Sequence, residues 1–426
     1  MRQKLTLLFL LIFLGGCANR PPSEPELTAL SQPPVPSAES PTLVPVEDPK
    51  PVGPLVLRVW VPPEFNPATG TPAARLFLAR LDEFSTRYPE VEVEVRVKAT
   101  SGAGGMIASL SATQAVAPEA LPDLVALPRP VLEAAAAQGL IFPLDGITAI
   151  QEDTDWYDFA QQLARVDNTI YGLPFACDAL ILLYRTDALK EPPRDWTTTG
   201  QLGASLLFAG GSSQALFTFA LYQAAGGNVV NEAGQLTLNP ATLSAVFDFY
   251  LTAQQNNVFS NTWLNYRNEE EAFAAYLNEE ADMAVAWVSA YWGRAGEGTA
   301  PGALPTPGGV PFAPLTGWAW AISNPNSLHQ DLSTALAQFL TDPAYLTEWT
   351  LAAKYLPPRP SVLAFWPESP ESALASRLVL SAQLIPPVQA LNTLGPLIQQ
   401  ATADVLNGQQ TPSEAAQSVA SRLAGP

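Results

Sequence analysis

Ionisable side chains are scarce in this chain of 426 residues. Asp, Glu, Lys and Arg make up 14% of it, and 21 Lys+Arg stand against 40 Asp+Glu, a formal net charge of −19. So acidic a chain lacks the clustered cations that nucleic-acid phosphates demand, and it is a poor match for an anionic bilayer surface. Histidine occurs once, at His329, and cysteine twice, at Cys17 and Cys177. A His-dependent triad would have to use His329, and these three side chains fall short of the four ligands of a structural zinc site. A Mg²⁺ or Ca²⁺ site built of carboxylates stays open, although no cofactor or metal is expected. After residue 14 there is no long apolar run: the strongest, Ala179–Tyr184, is far shorter than the ~20 residues of a membrane-spanning helix. Hydrophobic residues nevertheless reach 47%, with 42 prolines and ten tryptophans. That is enough apolar area to offset chain entropy and exclude global disorder. The length predicts two or three domains.

The chain opens with Arg2 and Lys4, the ten-residue apolar run Leu5–Leu14, then Gly15, Gly16 and Cys17. A charged start, short apolar core and small residues predict a secretory signal over residues 1–16. Its removal takes two cations and leaves the chain at −21. Leu14-Gly15-Gly16-Cys17 resembles a bacterial lipobox, which implies cleavage before Cys17 and diacylation of that residue. At ~0.8 kcal/mol per buried CH₂, two or three acyl chains would hold a soluble body to the membrane. Residues 17–54 then read as lipidated cysteine and tether. Ala18–Pro54 holds 11 prolines in 37 residues, and Pro-rich chain extending at ~3.1 Å per residue reaches roughly 100 Å. Cys177 is left without a disulfide partner and is predicted to be a buried thiol.

The body alternates strands and helices. Leu55–Val61 is a β-rich run ended by Pro62-Pro63, and Ala73, Leu76, Phe77, Leu81 and Phe84 share one helical face. Val91, Val93, Val95 and Val97 alternate with polar residues as a half-solvated strand. A helix near Met106–Ala115, a strand over Pro122–Leu127 and a helix over Val131–Gln138 follow. This alternation predicts a mostly parallel sheet with helices on both faces. A second unit begins near Ile170, with strands over Ala179–Tyr184 and Met283–Trp287 and helices over Ala215–Ala225, Leu243–Gln254 and Ala272–Leu277. Gly293–Pro314 interrupts the pattern. A strand (Trp318–Ser323) and a helix (Leu332–Leu340) come next, then a helical tail, Ala373–Leu423, broken at Pro386-Pro387 and Gly395-Pro396. Glu269-Glu270-Glu271 reads as a solvated helix start, and His329 as an exposed loop residue.

Several segments carry a family pattern in order: Leu57-Arg58-Val59-Trp60, Pro122-Asp123-Leu124-Val125, Ile170-Tyr171-Gly172-Leu173-Pro174 through Asp178 to Tyr184-Arg185, Pro192-Pro193-Arg194-Asp195-Trp196, Ala225-Gly226-Gly227, Gly317–Ser323 and Pro357-Pro358-Arg359. Together they resemble the extracellular solute-binding proteins of bacterial ABC importers, in the carbohydrate-binding group that includes the maltose-binding protein. The resemblance covers about Leu55 to Leu423, with Arg185 where the family usually has Asn. It implies an α/β, two-lobed periplasmic-binding-protein-like fold, each lobe a central sheet flanked by helices. Lobe I is expected over 55–175 plus 308–356, and lobe II over 178–304 plus 357–426. Ligand would enter the cleft at the carboxyl ends of the strands, and lobe closure would follow from tighter binding to the closed state. The expected protein is a monomeric, exported, lipid-anchored binder that is not an enzyme. It would touch the membrane only through its lipid and deliver a carbohydrate to permease subunits.

Sugars offer a C–H ring face to aromatic side chains and hydroxyls to carboxylates, amides and Arg. By resemblance and position the candidate contacts are Trp60, Arg129, Asp178, Gln214, Phe217, Trp287, Ser289, Trp292 and Trp318. Core packing is the competing role for each Trp, above all where alternation puts Trp318 and Trp320 on one strand face. Surface charge is the competing role for Arg129, which Pro128 and Pro130 flank. Other readings are a bilobed sensor or scaffold, a binder of a non-carbohydrate solute, and a surface glycoside hydrolase, for which no carboxylate pair stands out.

Overall fold

The computed structural model describes residues 54–259 and 262–425; the expected signal, Cys17 and the expected tether up to residue 53 lie outside them. β1 (Leu55–Val61), α1 (Pro72–Arg87), β2 (Val91–Val97), α2 (Met106–Val116), β3 (Leu124–Pro128) and α3 (Arg129–Ala137) alternate as the hydrophobic pattern predicts. Thr71 caps α1 by accepting the Ala74 N–H, Pro72 occupies the first turn where no N–H is needed, and Ala74, Phe77, Leu81 and Phe84 are buried along one face. β1 lies parallel to both β2 and β3. Then come α4 (Asp158–Leu163), the short β4 (Arg165–Val166) and β5 (Thr169–Ile170), and the long β6 (Leu173–Arg185). They are followed by α5 (Trp196–Gln201), β7 (Leu206–Leu207), α6 (Leu216–Ala224), α7 (Pro240–Gln255), α8 (Glu269–Leu277), β8 (Met283–Trp287), α9 (Val288–Arg294), β9 (Thr299–Gly302) and β10 (Ala313–Ile322). The chain closes with α10 (Ser327–Leu340), α11 (Pro343–Ala353), α12 (Pro360–Ala364), α13 (Pro370–Leu380), β11 (Ala382–Leu384), α14 (Val388–Leu406) and α15 (Pro412–Ala424). Among the described residues no helix is long and apolar enough to cross a membrane.

One sheet runs in the order β2-β1-β3-β10-β6-β8-β7, with β9 beside β6 and β11 beside β10. Its longest strand is β6, whose first half pairs antiparallel with β10 and whose second half pairs with β8 and β9. At ~3.3 Å per residue, 13 residues carry this strand roughly 40 Å. Two hydrophobic clusters surround the sheet. The first takes in β1, β3, α1, α10 and α11, and the second α6, α7, α14 and α15. Successive side chains of β6 feed them in turn, Ile181 and Leu183 the first and Leu180, Leu182 and Tyr184 the second, as the two-residue period of a strand requires.

Five expectations are corrected. The strand expected over Ala179–Tyr184 starts six residues earlier, because Pro174 and Asp178 lie within pairing strand. Gly293–Pro314 contains β9. Gly395-Pro396 does not break α14, which runs unbroken for 19 residues. Pro in a helix interior costs about 3 kcal/mol, but burial of Leu391, Leu394, Ile398, Ala401 and Val405, at ~1.5–3 kcal/mol for each larger side chain, outweighs it. Gly395 is required there, since a Cβ would overlap the carbonyl oxygen of Ser213. His329 is not in a loop: it sits in the first turn of α10 with Nδ1 2.7 Å from Asp123 Oδ1. Asp123, fully buried, also accepts the Arg58 N–H and the Asn324 amide. Finally, only part of the Glu269-Glu270-Glu271 run is solvated. Glu270 pairs with Arg294, but Glu269 is buried, and burial pushes its carboxyl up to about 7. Cys177 is a buried free thiol whose pKa is pushed up first by burial and then by Asp178, so little nucleophilic thiolate exists at neutral pH.

Candidate ligand-binding site

The carboxyl ends of β1, β3 and β8 present Trp60, Pro128-Arg129 and Trp287 in turn. Strand pairing sets their spacing. Trp318 of β10 lies between Pro128 of β3 and Ala176 of β6, Thr316 faces Asp178, and Leu180 faces Trp287. Arg129, Trp318, Asp178 and Trp287 therefore border the centre of the sheet, where β6 passes from one set of partners to the other.

Asp178 is the most constrained of them, at 4% exposure. Its Oδ1 accepts the Ala179 N–H at 3.0 Å and the Ser289 N–H at 3.1 Å, and its Oδ2 accepts the Ser289 hydroxyl at 2.5 Å. The Val288 N–H also acts on it. It thus serves as the missing cap of α9, whose own N-cap residue, Trp287, supplies no side-chain bond. Burial drives its pKa up, the Ser289, Ala179 and Val288 donors pull it down, and the net value is about 7. Oδ2 keeps a lone pair that a ligand hydroxyl could use.

Arg129 opens α3 and gives its Nε to Glu133 Oε1 at 2.7 Å; both side chains are nearly buried. Glu133 Oε2 accepts the Val388 N–H at 2.6 Å, capping α14 in its turn. No protein acceptor reaches Arg129 Nη1, although that atom is buried. Trp60, 3% exposed, carries Lys98 Nζ 4.5 Å from its ring centre, and its Nε1 is buried without a partner.

Trp318 is half-buried. Its ring meets Phe65 and Tyr355 edge-on, with centroids 5.5 and 4.9 Å away. The register shift at Trp318 and Ala319 skips Phe175 on β6, while β10 stays regular against β3, so Trp318 and Trp320 share a face. Trp320 is buried and stacked on Phe175, so the two indoles divide between rim and core. Trp287 is half-buried at the end of β8 and packs against the second cluster. Trp292, half-buried, lines a separate cavity of about 1410 Å³ together with Tyr184, Tyr291 and Arg377, and its ring meets Trp366 edge-on.

Two candidates stand apart. Phe217 is 3% exposed and packs on Phe208 and Tyr250 within the second cluster. This corrects its expected pocket role, because no ring face is left for a ligand. Gln214 is exposed in the turn before α6, beside Gly395. Tyr355 was not legible in the sequence. Leu356 pairs with Cys177, which brings Tyr355 beside Asp178, and its phenol is pushed up by burial and then by Asp178 and Glu64. Only that through-space pairing reveals it. Among the described residues no group of three or more His, Cys, Asp and Glu could hold a metal ion.

A family model described as bacterial extracellular solute-binding protein matches residues 79–375. Comparison with curated proteins finds no match. Solved structures similar in fold include maltose-bound MalE3 of T. maritima, at 20% identity and TM-score 0.66 over 87% of this chain and 99% of that one. The cyclic alpha-maltosyl-1,6-maltose binding protein of Arthrobacter globiformis gives 15% identity and TM-score 0.73 over 87% and 98%. The sugar-binding protein MalE of Xanthomonas citri gives 17% and 0.69 over 86% and 96%.

Proposed function

The chain belongs to the bacterial extracellular solute-binding protein family, and on that premise we propose that it captures a carbohydrate between two lobes and releases it unaltered. The observation that carries this reading is the placement of Asp178 between the half-buried Trp318 and Trp287 at the centre of the site. Asp178 Oδ2 accepts a hydrogen bond from a sugar hydroxyl, and the half-buried Trp318 and Trp287 offer ring faces to C–H groups. The sugars named in similar structures, maltose among them, favour an oligosaccharide.

Family membership implies export. Beyond that, Cys17 is the lipidation site, Pro-rich chain tethers the body, and an ABC permease is the recipient. The lobes comprise 55–175 plus 308–356 and 178–304 plus 357–426. β6 crosses from one to the other, so ligand contacts on both sides favour closure.

A thermal-shift screen of maltooligosaccharides, mannotriose, polyols, peptides and amines tests the ligand class. At a hundredfold excess over Kd, binding adds ~2.7 kcal/mol, which for a body of this size raises Tm by about 3 °C. Stabilisation by one class of oligosaccharide is expected. Stabilisation by peptides or amines alone would leave a binding protein but remove the carbohydrate.

A further inference from the structure

Behind Trp318 lies a cavity of about 330 Å³ between α1, α11 and the sheet, walled by Phe65, Phe77, Phe175, Trp320, Trp349 and Tyr355. Two of these, Phe65 and Tyr355, also touch Trp318, so the cavity adjoins the central site. Tyr355 further lies in the field of Asp178. We propose that this cavity is a subsite for an apolar substituent carried by the bound sugar, making the preferred ligand a glycoside with an aromatic or alkyl aglycone. The proposal rests on the carbohydrate reading of the central site.

Two features support it. Protein interiors hold few voids larger than a water molecule, whereas this volume sits at the lower end of small-molecule sites, ~300–1,000 Å³. The walls are mainly rings and aliphatic side chains, including Leu340 and Leu346. The polar side chains that border it, Glu64, Asn66 and Thr71, belong to its exposed or half-exposed edge, so a second sugar ring placed against the buried rings would strip water from several hydroxyls without a partner for each, while an apolar ring loses none.

Calorimetric titration of the full-length protein with methyl α-maltoside and 4-nitrophenyl α-maltoside tests this. If another sugar leads the thermal screen, the corresponding pair of its glycosides is used. The nitrophenyl glycoside should bind at least tenfold tighter. Ala73→Trp and Ala353→Trp, which fill the cavity from α1 and α11, should remove that gain while leaving methyl glycoside affinity within twofold. Equal affinities in the unsubstituted protein overturn the subsite and leave the carbohydrate reading standing. If no glycoside binds, the carbohydrate reading fails and 1-naphthol alone decides the cavity. Saturable quenching of tryptophan fluorescence, lost in both variants, supports an apolar site, and its absence overturns one. If the variants do not fold, the two glycosides on the unsubstituted protein decide.

Discussion

Asp178→Asn should flatten the fall in stability expected of the protein between pH 4 and pH 8. The folded carboxyl holds its proton up to about pH 7, whereas the free group loses it near 3.8. A raised folded pKa means that the contribution is fully present below 3.8 and is lost as pH climbs through 7. About three pH units at about 1.36 kcal/mol each amounts to ~4 kcal/mol. Glu269, raised by burial to about 7, acts with the same sign in both proteins and cancels from the comparison. Asn keeps an acceptor for the Ala179 and Ser289 N–H groups and donates to the Ser289 hydroxyl, so geometry is preserved while titration is lost. Urea unfolding at pH 4 and pH 8 measures the difference; parallel losses in both proteins would refute the burial of this carboxyl. Asp178→Ala is the harsher change. It strips α9 of its cap and orphans the Ser289 donors, at about 1–3 kcal/mol for each buried group left unpaired.

Gly317→Ala should be the most damaging methyl that can be added at the site. Gly317 lies opposite Cys177 where β10 crosses β6. An added Cβ would overlap the carbonyl oxygen of Ala176 and come within 2.6 Å of a Leu163 methyl. The first obstacle is backbone, so the strands must part rather than a rotamer turn. Overpacking of this kind costs about 1–3 kcal/mol. The displaced residues are Thr316, which faces Asp178, and Trp318, so ligand affinity should fall at least tenfold with stability. Unchanged denaturation midpoint and affinity would mean that the strands do not meet this closely.

Much of the architecture was legible because it is local. The four alternating valines of β2, the apolar stripe of α1 and the Gly226-Gly227 stop after α6 announce their elements through period and turn chemistry. Interruptions misled where distant packing overrides them: Pro174 within β6, Pro396 within α14. The helix caps at the site were not legible at all. α9, α12 and α14 lack side-chain caps of their own and borrow carboxylates from Asp178, Asp155 and Glu133, which lie far away in sequence. Likewise nothing in the residues around Phe217 separated a pocket ring from a core ring, because both demand an aromatic on an apolar helix. Asp178 was placed by resemblance, and only its bonds to Ser289 explain why a carboxylate is tolerated in so dry a strand.

The most direct measurement is calorimetric titration of maltotetraose, or whichever oligosaccharide raises Tm most, into the unsubstituted protein and Trp318→Ala. One equivalent should bind the former. Loss of a stacked indole worth ~2 kcal/mol should weaken the latter by about thirtyfold without changing the unliganded Tm by more than a few degrees. Equal affinity in both proteins, or no oligosaccharide that binds at all, would contradict a carbohydrate held against Trp318.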